Sequence, residues 1–154
     1  MQVERIDHIH VKVKDEPKAT ALYEAVLGTK MMMEADFSDD YGMRVAYNPF
    51  PIGLELMEVT DGSKEMAAIY AAAPDGVFAL SLKVPDIDAA TVEMEAMGHK
   101  LLMRYDFGDI KEALFDSKKT VGIYFELIEY AGENITDVDD GGVSESGKVQ
   151  ARAG

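Results

Sequence analysis

Cysteine is absent from this 154-residue chain. That removes disulfide frameworks, thiol nucleophiles and Cys-ligated zinc, and it is compatible with a reducing compartment. Positive charge is scarce, with 15 Lys and Arg against 29 Asp and Glu, a formal charge of −14. Such a surface repels phosphate backbones and anionic lipid heads, so neither nucleic acid nor a membrane is expected as a partner. Long apolar runs are missing too. The longest small apolar stretch, near residues 67–73, falls far below membrane-spanning length. The opening MQVERIDHIHVKV scatters its charges instead of placing a basic segment before an apolar one, so it does not read as a signal peptide. A soluble cytoplasmic protein is expected.

What is present begins with enough apolar residues, 47% of the chain, to fill one core but too little length for two ordinary domains. Residues 12–25 match residues 83–96 at a constant offset of 71. Seven of the fourteen positions are identical: Lys12/Lys83, Val13/Val84, Asp15/Asp86, Ala19/Ala90, Thr20/Thr91, Glu24/Glu95 and Ala25/Ala96. The same offset pairs Glu55-Leu56-x-Glu58 with Glu126-Leu127-x-Glu129. Shared secondary structure explains matching apolar positions but not so many identical polar ones, so an internal duplication is inferred.

Each copy reads as strand, helix and three further strands. Residues 6–13 alternate apolar and polar and are rich in β-branched types, the pattern of a half-buried strand. Asp15 starts a helix with Pro17 early in it, an apolar stripe at Ala19, Leu22, Tyr23 and Val26, and Gly28 as its stop. In the second copy residues 77–84 are the strand, Asp86 the N-cap, 89–97 the helix and Gly98 the stop. Further strands are expected at 30–35, 43–47 and 52–59, then at 100–105, 112–117 and 122–130. An alanine-rich helix over 63–73, capped by Ser63, links the copies. The expected layout is repeat 1 over about 5–60, repeat 2 over about 76–130, one domain over 1–130, and an acidic, Gly-rich tail over 131–154 that forms a disordered or partner-binding arm. The DVDDGG within it lacks the later ligands of a calcium loop.

His8 and His10 share a strand face because side chains alternate. Glu55 and Glu126 lie in apolar strands, where a carboxylate is costly without a proton, a hydrogen-bond donor or a cation. His8 to Glu55 spans 47 positions, and so does Ala79 to Glu126. If the two copies close about a pseudo-twofold axis, these four positions form a ring. His8, Glu55 and Glu126 would then be a set suited to divalent Mn, Fe, Co, Ni or Zn, with Ala79 contributing nothing. Spacing alone leaves open that both glutamates face water and that His8 is a hydrogen-bonded structural histidine.

The motifs IDHIHVKVKD and ALYEAVLG, then GLELME, ALSLKVPDIDAA and GIYFELIEY, resemble the vicinal oxygen chelate superfamily of glyoxalase I, methylmalonyl-CoA epimerase, extradiol dioxygenases and bleomycin-binding proteins. The resemblance covers about residues 5–130. It implies an α+β fold of two tandem βαβββ modules around a shared cup-shaped site, and a homodimer. DYGMRVAY and SKKTVGIYFELIE are most similar to methylmalonyl-CoA epimerase, with glyoxalase I next. Carried over by position, His8, Glu55 and Glu126 are metal ligands and Asp40 an acid–base residue, with Glu126 and His10 as further catalytic candidates. His10, Ser81 and Lys118 are candidate substrate contacts, Lys118 toward a phosphate or carboxylate. Both families ordinarily have histidine where this chain has Ala79. The implied activity is a metal-dependent isomerase, epimerase or lyase that removes a proton next to a carbonyl of a small substrate such as an acyl-CoA thioester. A metal-free binding or resistance protein, or a metal-free acid–base enzyme in the same pocket, is the alternative.

Overall fold

The computed structural model describes residues 1–49 and 51–140. The first module comprises β1 (Arg5–Lys12), α1 (Glu16–Leu27), β2 (Met33–Phe37), a short helix α2 (Ser38–Tyr41), β3 (Met43–Asn48) and β4 (Leu54–Val59). After the connecting α3 (Glu65–Ala71) come β5 (Gly76–Lys83), α4 (Ile87–Ala96), β6 (Leu101–Phe107), β7 (Ile110–Phe115) and β8 (Tyr124–Glu129). This is the α+β architecture of two tandem βαβββ modules. Among the described residues no helix is long and apolar enough to cross a membrane.

By their contacts the described residues form two compact units, one of 1–9 with those from 79 onward and the other built on 10–78. In the first, β5 and β8 are parallel, with Ser81 opposite Glu126, and β8, β7 and β6 follow in antiparallel order. Helix α4 covers one face of this sheet and closes a core of Val84, Ile87, Met94, Phe115 and Leu127. In the second, β2, β3 and β4 are antiparallel, with Glu55 opposite Tyr47, and Val13 N donates to Met57 O at 2.8 Å to join the end of β1 to β4.

The duplication is visible bond by bond. Val13 N→Met57 O at 2.8 Å recurs as Val84 N→Ile128 O at 2.9 Å, each atom 71 positions on. Asp15 caps α1 by accepting from Lys18 N, and Asp86 caps α4 by accepting from Ala89 N. Glu58 accepts from Glu16 N at 2.8 Å and Glu129 from Ile87 N at 2.7 Å, so the last strand of each module satisfies an orphan amide at the start of its own helix. Several polar identities in the repeat are therefore helix-starting parts.

Three sequence expectations need correction. In α1 the buried residues are Glu16, Thr20 and Glu24, whereas Leu22 and Val26 are 61% and 73% exposed and Ala19 and Tyr23 only partly buried, so the apolar stripe is not the face turned to the core. Hydrogen bonds make the inverted face tolerable: Thr20 Oγ1 donates to Glu16, and Glu24 accepts from Lys30 Nζ and from Met31 N. In α4, by contrast, the buried residues are the apolar Ile87, Ala90 and Met94. Second, the linking helix is capped at Lys64 without a side-chain bond, because Ser63 turns back to Asp61. Third, the arm expected from Ala131 touches the domain at a few points within its first ten residues, none of which is buried. Ile135 and Val138 lie against Ile110, Ile128 and Tyr130, and Asp109 N donates to Asp139 O. The rest of that arm, 141–154, lies outside the described residues.

Candidate functional site

Strand β1 carries both histidines, two residues apart and 2% exposed each. In the unit containing β8, His8 Nε2 stands 3.6 Å from Glu126 Oε1, a carboxylate that is itself 1% exposed. In the other unit His10 Nδ1 stands 3.2 Å from Glu55 Oε1, and the imidazole ring is tilted against Phe78 with centroids 5.6 Å apart. His8, His10 and Glu126 each offer a ligand atom, all within 4.8 Å of one another. Burying a carboxylate beside two imidazoles is favourable when a shared proton or a cation neutralises it.

Parallel pairing explains how Glu126 comes to face inward. Residues in register on β5 and β8 share a face, so Glu126 lies beside Ser81 while Phe125 and Leu127 turn to the α4 core. Ser81 occupies in β5 the place of His10 in β1, 71 positions earlier. It is fully buried, and its hydroxyl has no hydrogen-bond partner among the described residues. Ala79, also fully buried, stands where His8 stands in the first module.

The other sequence candidates are placed differently. Asp40 is exposed on α2, a helix not anticipated from the sequence, and Lys118 is exposed in the turn after β7. Both can be reached from solvent, and neither belongs to the buried group around β1.

One residue of the site was missed. Asp7 is buried, and its Oδ2 lies 2.9 Å from His8 Nδ1. Its Oδ1 accepts from Tyr130 Oη and from Arg5 Nη2, the latter at 3.1 Å. Burial pushes the Asp7 carboxyl upward, but hydrogen bonds from His8, Tyr130 and Arg5 outweigh it and hold the group below the ordinary aspartate value. Burial and the same carboxylate push the Tyr130 hydroxyl upward, so it remains a donor. The available signal in the sequence was a charged residue inside an otherwise alternating strand, next to a candidate ligand.

Two imidazoles and a carboxylate, buried and with no fourth protein donor at Ala79, fit a divalent first-row cation with open positions. Residues 7–115 match the model of the Glyoxalase/Bleomycin resistance protein/Dioxygenase superfamily, and the chain belongs to that superfamily. No curated protein matches it. Among solved structures it is similar to a Streptomyces coelicolor methylmalonyl-CoA epimerase variant in complex with 2-nitronate-propionyl-CoA, with a TM-score of 0.68 and 22% identity over 85% of this chain and 100% of that one. The Mycobacterium tuberculosis methylmalonyl-CoA epimerase gives 0.68 and 24%, covering 84% and 90%. A hypothetical protein from Bacillus halodurans gives 0.69 and 17%, covering 84% and 96%. At these identities the likeness speaks to fold alone.

Proposed function

We propose that the protein is a metal-dependent isomerase, in the first instance an epimerase, that removes a proton next to the carbonyl of a small acyl-CoA thioester. A lyase using the same proton removal is the nearest variant. The observation that carries this is the buried group of His8, His10 and Glu126 within a fold of this superfamily. His8 and Glu126 are the core of the proposed ion site. The third donor is Glu55 or His10, which stand 3.2 Å apart, and the one left over is an acid–base group. When bound, a divalent ion of Co, Ni, Mn, Fe or Zn supplies the Lewis acidity that makes the hydrogen next to a carbonyl removable.

Epimerisation needs a proton taken from one face of the carbon and returned to the other. Asp40 and His10 are the proposed pair, with Glu126 the second carboxylate able to serve. His10 is suited to this because Glu55 can accept a hydrogen from Nδ1 and leave Nε2 basic. The buried Ser81 hydroxyl is a donor for a substrate oxygen, and Lys118 a cation for its phosphate or carboxylate. The protein is taken to act in the cytoplasm as a homodimer, without nucleic-acid or membrane partners.

The test is elemental analysis of untagged protein before and after chelation and reloading, joined to solvent-deuterium incorporation into acyl-CoA thioesters. About one ion per chain, lost in Glu126→Gln and His8→Ala with the fold intact, and exchange lost with it, is the expected result. No recoverable metal and no exchange would overturn the proposal. That outcome would favour a metal-free binding protein, the alternative that Ala79 supports by removing a donor.

A further inference from the structure

We propose that Asp7 is a positioning residue that fixes on which ring nitrogen His8 carries its hydrogen. The two oxygens of this carboxylate have separate tasks. Oδ1 is occupied by two donors, Arg5 Nη2 and Tyr130 Oη, while Oδ2 faces His8 Nδ1 at 2.9 Å. An ionised carboxylate only accepts, so the hydrogen in that contact belongs to the ring. A neutral imidazole with its hydrogen on Nδ1 has its lone pair on Nε2. Nε2 is the atom turned toward Glu126, 3.6 Å away.

The donors on Oδ1 are themselves held. Arg5 Nη2 also donates to Tyr130 Oη at 2.6 Å and to Glu133 O. Lys83 Nζ lies 4.3 Å from the centre of the Tyr130 ring and donates to Gly132 O at 2.5 Å. Every member of this chain of contacts belongs to one compact unit, so the orientation of Asp7 is set by the segment that follows β8. An outer carboxylate of this kind fixes the orientation of a ligating histidine and raises its basicity.

The same contacts could merely tie β1 to that segment, and two substitutions separate the roles. In Asp7→Asn the amide oxygen remains with the two donors at Oδ1, because the opposite orientation sets an NH2 group against both. The NH2 then points at His8 Nδ1, and the ring must move its hydrogen to Nε2. Tyr130→Phe removes one donor but leaves an acceptor facing Nδ1, so the hydrogen stays where it is. A tie alone predicts that the two variants behave alike.

The experiment is long-range nitrogen–proton NMR of the metal-free full chain labelled at histidine, at a pH where the rings are neutral, with His8 assigned from His8→Gln. Wild type and Tyr130→Phe are expected to show the hydrogen on Nδ1, and Asp7→Asn on Nε2. Cobalt affinity, the arm that rests on the metal proposal above, is expected to fall about 10–100-fold in Asp7→Asn and less in Tyr130→Phe. Wild-type His8 with its hydrogen on Nε2, or Asp7→Asn retaining it on Nδ1, overturns the inference. If Asp7→Asn does not fold, the wild-type and Tyr130→Phe spectra decide it. An inverted ring with unchanged cobalt affinity upholds the control by Asp7 and overturns the metal role of His8.

Discussion

Replacing Glu58 or Glu129 by alanine should cost the two modules nearly the same stability. Each carboxylate accepts from the backbone amide that opens its module's helix, at 2.8 Å for Glu58 and 2.7 Å for Glu129. Their side chains are 16% and 24% exposed, so the bonds are only partly screened. A charged acceptor on an orphan helix amide contributes about 1 to 2 kcal/mol. Glu129 also accepts from Lys111 Nζ at 2.7 Å, a half-exposed pair that adds at most a few tenths, so Glu129→Ala should sit toward the upper end. For a domain of this size the loss corresponds to a melting temperature lower by roughly 3 to 8 °C. Gln at either position keeps an acceptor without the charge and should lose about half as much. Glu58 and Glu129 sit three residues after Glu55 and Glu126 and so project from the opposite sheet face, which predicts unchanged metal content. Urea and thermal unfolding followed by circular dichroism provide the measurement. Losses below about 0.5 kcal/mol at both positions, or a loss in one module only, would refute a duplicated helix-starting device.

Gly42→Ala should be among the most damaging substitutions in the first module. Its φ is +73°, and an added Cβ would meet Asp61 O, Lys64 Cγ and Ala67 Cβ, whereas Gly28, with φ +67°, has open space. Unfolding should show about 1 kcal/mol lost in Gly28→Ala and several times that in Gly42→Ala. Ser81→Ala removes a buried hydroxyl without a partner among the described residues, so stability should hold or rise by up to about 1 kcal/mol while substrate KM increases; lower stability would show that the hydroxyl is satisfied in solution. Burial, with Glu34 and Glu58 nearby, raises the Glu16 carboxyl above the ordinary glutamate value. Its contribution is therefore full below that ordinary value and is lost as pH rises through the raised one. Glu16→Gln should increase the melting temperature at about pH 7 relative to wild type and change it little at about pH 3, and a decrease at neutral pH would contradict this assignment.

Much of the fold was legible because the repeat writes its own punctuation. Asp15, Gly28 and Asp86 mark helix ends by local bonding that needs no tertiary context, and the structure places the caps at those residues. Helix α2 was illegible because four residues of Ser, Asp and Tyr make one turn with no apolar period to detect. The polar core-facing side of α1 was illegible for a different reason. Periodicity reveals that a helix has two faces, but here buried hydrogen bonds of Thr20 and Glu24 decide which face goes inside. At the site, strand alternation correctly put His8 and His10 on one face. Comparing repeat-equivalent positions gave His10 no place among the four ring positions, since its counterpart is Ser81, whereas the structure brings it into a candidate ligand group with His8 and Glu126. Asp7 was passed over because its meaning lies in Tyr130, 123 residues away.

The positions at which the two modules agree and disagree are unevenly spread along β1 and β5. Agreement gathers where strand passes into helix, at Lys12/Lys83, Val13/Val84 and Asp15/Asp86, while His8/Ala79 and His10/Ser81 differ in mid-strand. After an ancestral duplication the chain could therefore rewrite one copy's reactive middle while leaving the instructions for folding intact. The same separation is open to an engineer: Ala79 and Ser81 are two adjustable letters, four residues or fewer from a fixed grammar, through which a second histidine pair can be installed to ask what chemistry a symmetric pair of modules would allow.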